Sequence, residues 1–349
     1  MSRIRLCGHV STLWFFTVST IVSRRAMTLF DALPERLPQK FGFVLVESFP
    51  LMGFASSLEP LRAVNLQTEK KVFDWVLLSE DGKPVNSSSG LTVVPDAAVG
   101  GDDFDAVVVV AGLHAESAVC PNTINWLRRI VRRGVTVIGV SAASYIFAKA
   151  GILDNRKATI HWEHADGLRE DFPHLDISAE LFEIDGPVVT CAGGTAAMDM
   201  MLHLIERQLG HNVATRVTDW FLVKQIRQPH EDQRMDLRAR IGVSHPKLLA
   251  AIGLMEENLE TPLNRNEIAA AVRLSTRQLE RLFQKYLRST PRKYYFSLRM
   301  HKAQLLLRQT ALPILEVALA SGFVSASHFA KSYREFFGRN PRADRGPGK

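Results

Sequence analysis

Two stretches near the C-terminus repeat one arrangement of residue types, and that repetition constrains the fold more than any other feature of the chain. The first reads NEIAAAVRLSTRQLERLFQKYL (266–287) and the second ILEVALASGFVSASHFAKSYREFFG (314–338). Each opens with a short segment of small residues, Ala269, Ala270 and Ala271 in one, Ala318 and Ala320 in the other. A tight turn follows, closed by an apolar side chain, Leu274 or Phe323. A second segment then sets apolar residues four apart, Leu279 and Phe283 or Phe329 and Tyr333. Small residues let two helices cross closely and the apolar plug fixes the angle between them, which is how a helix-turn-helix is built. Ser275 and Ser325 stand where the second helices need N-caps.

The faces turned away from these apolar positions are polar. They carry Thr276, Arg277, Glu280, Arg281 and Gln284 in the first unit, and Ser327, His328, Lys331 and Arg334 in the second. Arginine holds guanine by paired hydrogen bonds, while lysine, serine and histidine bond base edges or phosphates, so all nine are candidate DNA-binding residues. Between the units, residues 291–310 read as a long amphipathic helix with Leu298, Ala303, Leu306 and Leu307 inside. Such a connector would hold two recognition helices apart for adjacent major grooves, about 34 Å along one DNA face. The competing reading is a plain helical bundle. Charge argues against it: residues 246–349 hold 18 Lys/Arg against 8 Asp/Glu, a net +10, whereas the other 245 residues are slightly acidic at −3. A basic module joined to a near-neutral one is the footprint of nucleic-acid binding.

This C-terminal hundred resembles the AraC/XylS-type regulators, on Gly322-Phe323, Phe329, Tyr333, Phe336-Phe337-Gly338 and Asn340-Pro341. The resemblance implies operator DNA and RNA polymerase as partners. It places Arg277, Glu280 and Arg281 at base-reading positions of the first unit, and Ser327, His328 and Lys331 at those of the second.

Residues 41–227 read differently. Short β-branched runs alternate with helical stretches: GFVLVE (42–47), a helix around Ser57–Asn65, FDWVLLSE (73–80), the uncharged AVVVVAG (106–112), a helix Asn122–Arg133, VTVIGVS (135–141), a helix Tyr145–Ala150, a strand near Val188–Cys191 and the apolar helix Ala196–Leu209. Uncharged runs suit strands buried on both faces, so the expected fold is α/β, a doubly wound, mostly parallel sheet followed by an all-α domain with two helix-turn-helix units. The polar stretch 228–245 is expected as a linker.

The stretch GVSAASYIFAKAGILDNRKATIHW (139–162) is the most informative of this half. A buried strand ends, one residue turns sharply, and a helix begins, so the turning side chain, Ser141, is expected above the sheet at a helix N-terminus. His161 follows a further short strand and Glu59 lies on the first helix, so nucleophile, base and acid are expected around one crevice at the strand ends. Here the chain resembles the PfpI-like, flavodoxin-like class I glutamine amidotransferase fold, in which the elbow residue is usually cysteine. Serine is far harder to ionise, so amidase or hydrolase activity stands as the alternative function and not the leading one. The two halves together resemble the GlxA-like regulators, through Phe54–Arg62 with Asn65, the elbow, His161-Trp162 and CAGGTAAMD (191–199). That resemblance implies a crevice turned from catalysis to recognition of arginine or quaternary amines such as glycine betaine and carnitine, and activation of genes for their breakdown. The expected ligand contacts are Glu59 for a cation, Tyr145 and Trp162 for an aromatic face, backbone at Gly112 and Leu113, and Ser141 and His161.

No Cys/His spacing suits zinc and no metal or other cofactor is expected; Cys7, Cys120 and Cys191 are scattered, as in a reducing cytoplasm. Residues 1–40 are expected to be an extension, disordered or an over-extended gene start with Met27 as the true beginning. Arg3, Arg5 and Val10 to Val22 imitate a signal peptide, but the run is diluted by Ser and Thr and is too short and polar to span a bilayer. Helix 196–210, apolar on more than one face, suggests a homodimer.

Overall fold

The computed structural model describes residues 28–112, 114, 115, 118 and 120–345. Chain order in the first half is β1 (Gln39–Leu45), α1 (Leu51–Thr68), β2 (Phe73–Ser79), β3 (Val85–Asn86), β4 (Thr92–Val93), β5 (Ala97–Ala98) and β6 (Ala106–Ala111). It continues with α2 (Pro121–Arg132), β7 (Thr136–Ser141), α3 (Ala143–Lys149), β8 (Lys157–Thr159), α4 (Trp162–Asp171), β9 (Asp176–Ser178), β10 (Phe182–Asp185), β11 (Val188–Cys191), α5 (Ala196–Leu209) and α6 (His211–Trp220). Seven strands form one sheet in the order β10-β11-β7-β6-β1-β2-β5, parallel throughout except for β10 against β11.

The uncharged run in β6 explains the layering. Every residue of β6 is buried. Its alternate side chains Val108 and Val110 enter a core roofed by α1, α5 and α6, while Val107 and Val109 enter a second core roofed by α2, α3 and α4. A strand covered on both faces has no place for a polar residue. Helix α1 runs well past its expected bounds at both ends. Gly53, Ser56, Ser57 and an interior Pro60, all buried, disguise its start as loop composition while letting it lie close on the sheet.

Two expectations about boundaries are corrected. Residues 28–40 are no extension: Phe30 is fully buried in the α1–α5 core, worth about 1.5–3 kcal/mol of apolar burial. The backbone of Leu29 donates to Thr136 Oγ1 and accepts from Gln208 Nε2, both at 3.0 Å, and Asp31 pairs with Arg207. Residues 1–27, with the signal-like run and Met27, lie outside the described residues. The apolar faces of α5 are likewise spoken for, packed on the sheet, α1 and α6, and none of its apolar residues is exposed. Packing within the domain therefore accounts for the apolar faces of α5 without a partner subunit.

The second half is helical: α7 (Leu237–Ile241), α8 (Pro246–Glu257), α9 (Arg265–Ala271), α10 (Thr276–Leu287), α11 (Pro291–Gln309), α12 (Ile314–Ala320) and α13 (Ala326–Phe337), closed by a 3-10 turn at Pro341–Asp344. One core gathers α8, α9 and α10, the other α12 and α13, and α11 contributes to both, through Tyr295 to the first and Met300, Ala303, Leu306 and Leu307 to the second. Because α11 serves two cores that lie on different sides of it, its apolar residues do not form the single stripe that the sequence suggests. The expected linker 228–245 is also shorter than predicted. Helix α7 lies within it, with Leu237 and Ile241 against the first helical core and Arg240 held by Glu256 at 2.8 and 3.2 Å. Its earlier part follows the α/β half, where Leu181 donates to Pro229 O and Glu180 bridges to Asp232.

Candidate functional site

The two helix-turn-helix units match position by position up to the plug and again from the N-cap of the second helix onward. In each, the backbone N–H of the apolar plug closes the turn on the first helix, Leu274 to Ala269 O at 2.9 Å and Phe323 to Ala318 O at 2.8 Å. The residue before the plug is left-handed in both, Arg273 at φ +53° and Gly322 at +76°. Ser275 accepts from Gln278 N and Ser325 from His328 N, so both expected N-caps form. The second turn differs by one inserted residue, Val324, which is 89% exposed. Beyond the caps the register is common: Leu279 and Phe283 are fully buried on α10, Phe329 and Tyr333 on α13.

The nine candidate DNA contacts divide by exposure. Arg277, Arg281 and Gln284 are exposed at spacings of four and three along α10, and Ser327, Lys331 and Arg334 repeat that stripe two residues past their own cap on α13. Arg277, Arg281 and Arg334 make no ion pair among the described residues, which leaves their guanidinium groups available to a polyanion. Thr276 and Glu280 are half-buried; Glu280 pairs with Arg265. His328 is exposed but rests its ring edge-on against Phe323, 5.5 Å between centroids. Glu280 and His328 both line the groove between the two units and so look toward one another's unit as well as outward.

In the α/β half the strand ends do converge. Ser141 adopts φ +62°, the strained geometry of an elbow, and is 8% exposed. A Cβ on Gly193 would stand 2.6 Å from Ser141 Cβ, so that glycine is what lets the loop after β11 close over the elbow. Gly112, at the end of β6, abuts the β1–α1 loop in the same way, where an added Cβ would meet Ser48 O at 2.6 Å. His161 donates its backbone N–H to Ser141 O at 3.4 Å, and its Nδ1 accepts from Glu163 N as the N-cap of α4. Burial pushes the imidazole below its usual pKa, against a smaller opposing effect of Glu163. Among the described residues no hydrogen bond joins Ser141 Oγ to an imidazole or carboxylate. Beneath the turn lies Cys191, whose thiol burial pushes up to about 12.

Three candidate ligand residues stand elsewhere. Tyr145 is fully buried, with its ring edge toward Phe172 and its hydroxyl against Gly167, so it presents no face to a crevice. Glu59 is answered within α1 by Arg62, at 2.6 and 2.8 Å, well along the helix from Gly53, the residue that touches Val140 at the elbow strand. Trp162 is 38% exposed, but its ring faces the helical half and carries the guanidinium of Arg234 at 4.5 Å from its centroid. Leu113 lies outside the described residues. No group of three or more His, Cys, Asp or Glu side chains among the described residues could hold a metal ion, and no described helix is long and apolar enough to cross a membrane.

Comparison with known proteins matches both halves. The DJ-1/PfpI family profile covers residues 43–207 and a helix-turn-helix domain profile covers 268–346. The HTH-type transcriptional regulator CdhR of Pseudomonas aeruginosa is 44% identical over 310 residues, 88% of this chain and 92% of that protein. GbdR of the same species is 42% identical over 314 residues, 89% of this chain and 85% of the relative. GlxA of Rhizobium meliloti is 40% identical over 312 residues, 88% and 95%. The chain belongs to the GlxA-like HTH-type transcriptional regulators.

With relatives of this kind along nearly its whole length, the chain is a regulator and not an amidase. Two features of the regulator escape sequence reasoning. Asp344, in the terminal NPRADR, is buried and gathers Tyr333 Oη at 2.6 Å, Arg308 at 3.0 Å and Arg339 at 2.7 Å, which pins the chain end and α11 to the second recognition helix. Burial works to raise its pKa, yet these hydrogen bonds outweigh it and hold the carboxyl below its ordinary range. Arg234, the partner of Trp162, lies in a stretch whose polar composition marks only a linker; no local signal pairs it with an aromatic ring 72 residues earlier.

Proposed function

We propose that the regulator binds a small organic amine in the elbow crevice and passes that event to its DNA-binding helices, activating genes for the breakdown of arginine or of a quaternary amine. One observation carries the reading: the elbow and the connector helix are joined by a short run of covalent and packed contacts. His161 holds Ser141 O, the next residue opens α4, and α4 packs along α11. At Gly167 the two helices come so close that an added Cβ would stand 3.0 Å from Thr310 Cγ2. Lys302 of α11 lies 4.0 Å from Asp166. A shift of α4 is therefore felt by the helix that spaces the two recognition units. The crevice supplies backbone groups at Gly112 and Gly193, the Ser141 hydroxyl and a neutral His161, a recognition set with no activated nucleophile.

The test is calorimetric titration of the full chain with L-arginine, glycine betaine and carnitine, followed by gel shift on operator-bearing duplex with and without the amine that binds. One ligand per chain and a change in operator affinity of roughly 5- to 150-fold are expected. Binding that leaves DNA affinity unmoved refutes the coupling. Amide turnover that disappears in Ser141→Ala would restore the enzymatic alternative.

A further inference from the structure

Between α4 and α11 lies a cavity of about 330 Å³ that belongs to neither half alone. Its walls include Trp162 and Glu163 from the start of α4, Gln233 and Arg234 from the connecting segment, Glu256 from α8 and Gln309 from α11. We propose that this cavity is a regulatory site for an organic cation bearing N–H groups, a guanidinium or primary ammonium compound, whose seat on Trp162 is held in this structure by the chain's own Arg234. The inference rests on the reading of the protein as an amine-responsive regulator, but it assigns a separate site.

The charges around the cavity favour such an occupant. Asp166 is met by Arg169 at 3.4 Å and by Lys302, and Glu256 by Arg240. Glu163 makes no ion pair among the described residues, so withdrawing Arg234 leaves an aromatic face beside an uncompensated carboxylate, a place for one positive charge. His301, which also lines the cavity, is turned to its own helix, with Nδ1 at 2.7 Å from Ser297 O. Arg234 is itself partly removed from water, and that burial works against its charge while Glu256 and Glu163 support it.

Two acceptors of the wall residues also lack donors. Gln233 Oε1 and Gln309 Oε1 are both buried without a hydrogen-bond partner. The Gln233 amide cannot be turned round, because its Nε2 already donates to Ile160 O at 3.0 Å and Glu180 O at 2.9 Å. Neither oxygen is open to solvent in this conformation, so it is the half-buried Glu163 carboxylate on the wall that a guanidinium or primary ammonium meets with its N–H groups; a quaternary ammonium brings none. Arg234 sits on a segment outside any helix, whereas Trp162 and Gln309 lie on the two helices whose packing joins the halves. Exchange of Arg234 for a free cation therefore releases the connecting segment at the point where α4 meets α11.

The experiment is calorimetric titration of the full chain and its variants with methylguanidinium and with tetramethylammonium. Arg234→Ala removes the internal competitor and is expected to bind methylguanidinium roughly fivefold to thirtyfold more tightly than the parent. Trp162→Leu in that background should lose the gain, and tetramethylammonium should bind more weakly than methylguanidinium to every form. In gel shift, Arg234→Ala alone should move operator affinity in the direction that methylguanidinium moves the parent. Equal methylguanidinium affinity in the parent and Arg234→Ala, or no binding by either, overturns the site. Either result leaves the elbow crevice to be judged by its own amine titrations.

Discussion

Gly322 offers the sharpest test of how the second unit is built. It sits at φ +76°, where a residue with a Cβ costs about 1–2 kcal/mol, and it has no space for one. An added Cβ would stand 2.5 Å from Pro262 Cγ and 2.6 Å from Leu259 O. The latter is backbone and the former a ring tied to it, so neither yields cheaply, and forcing them apart adds about 1–3 kcal/mol. Gly322→Ala should therefore destabilise the helical half by roughly 2–5 kcal/mol. The matched position in the first unit, Arg273, already carries a side chain at φ +53° and is exposed. Arg273→Gly relieves strain but frees the unfolded chain, so it should stay within about 1 kcal/mol of the parent. Urea unfolding separates the halves in a Trp162→Phe background, because all five tryptophans, the last being Trp220, precede the helical domain and Trp162 is the one that lines a cavity shared with it among the described residues. In Gly322→Ala the loss of helical circular dichroism should gain an early phase while the tryptophan transition holds its midpoint. A variant that unfolds like the parent by both probes would refute the packing argument, and with it the equivalence of the two turns.

Two further outcomes follow from the interface. Arg281→Ala should cost about 1–3 kcal/mol in operator binding and relax sequence preference if it reads a base; equal losses on operator and random duplex, with a salt slope lowered by about one, would make it a phosphate contact instead. Asp344 has a depressed pKa when folded, so its stabilising effect is present above the unfolded value near 4 and is lost as pH falls through the lower folded value. Asp344→Asn should cost roughly 1–3 kcal/mol at neutral pH and flatten the acid limb of the helical domain's stability, as followed by denaturation between pH 2 and 7; an acid limb as steep as the parent's would exclude this carboxyl as its source.

What the sequence made legible was whatever repeats or alternates. The paired helix-turn-helix units were readable because small residue, plug and apolar spacing recur in register, and the buried strands because nothing charged interrupts them. The elbow was readable because a strand, one small residue and a helix follow without a gap. What stayed hidden depends on contacts distant in the chain. Phe30 looks like a stray aromatic in a leader until the α1–α5 core receives it. Tyr145 and Trp162 look alike as candidate aromatic faces, and only packing separates them, one sealed inside the sheet domain and the other turned to the connecting segment. Glu59 reads as a free carboxylate until Arg62, one turn later, claims it. Helix α7 is too short for its period to show, so its polar surroundings speak louder than Leu237 and Ile241.

The thiol beneath the elbow decides how this domain meets oxidants. Peroxides and other oxidants attack thiolates that solvent can reach. Cys191 is neither ionised nor accessible, and the turn above it, where related folds usually present their cysteine, ends in a hydroxyl. The elbow therefore carries no reactive sulfur at its apex, and an oxidant that reaches the turn meets a hydroxyl where it would need a thiolate.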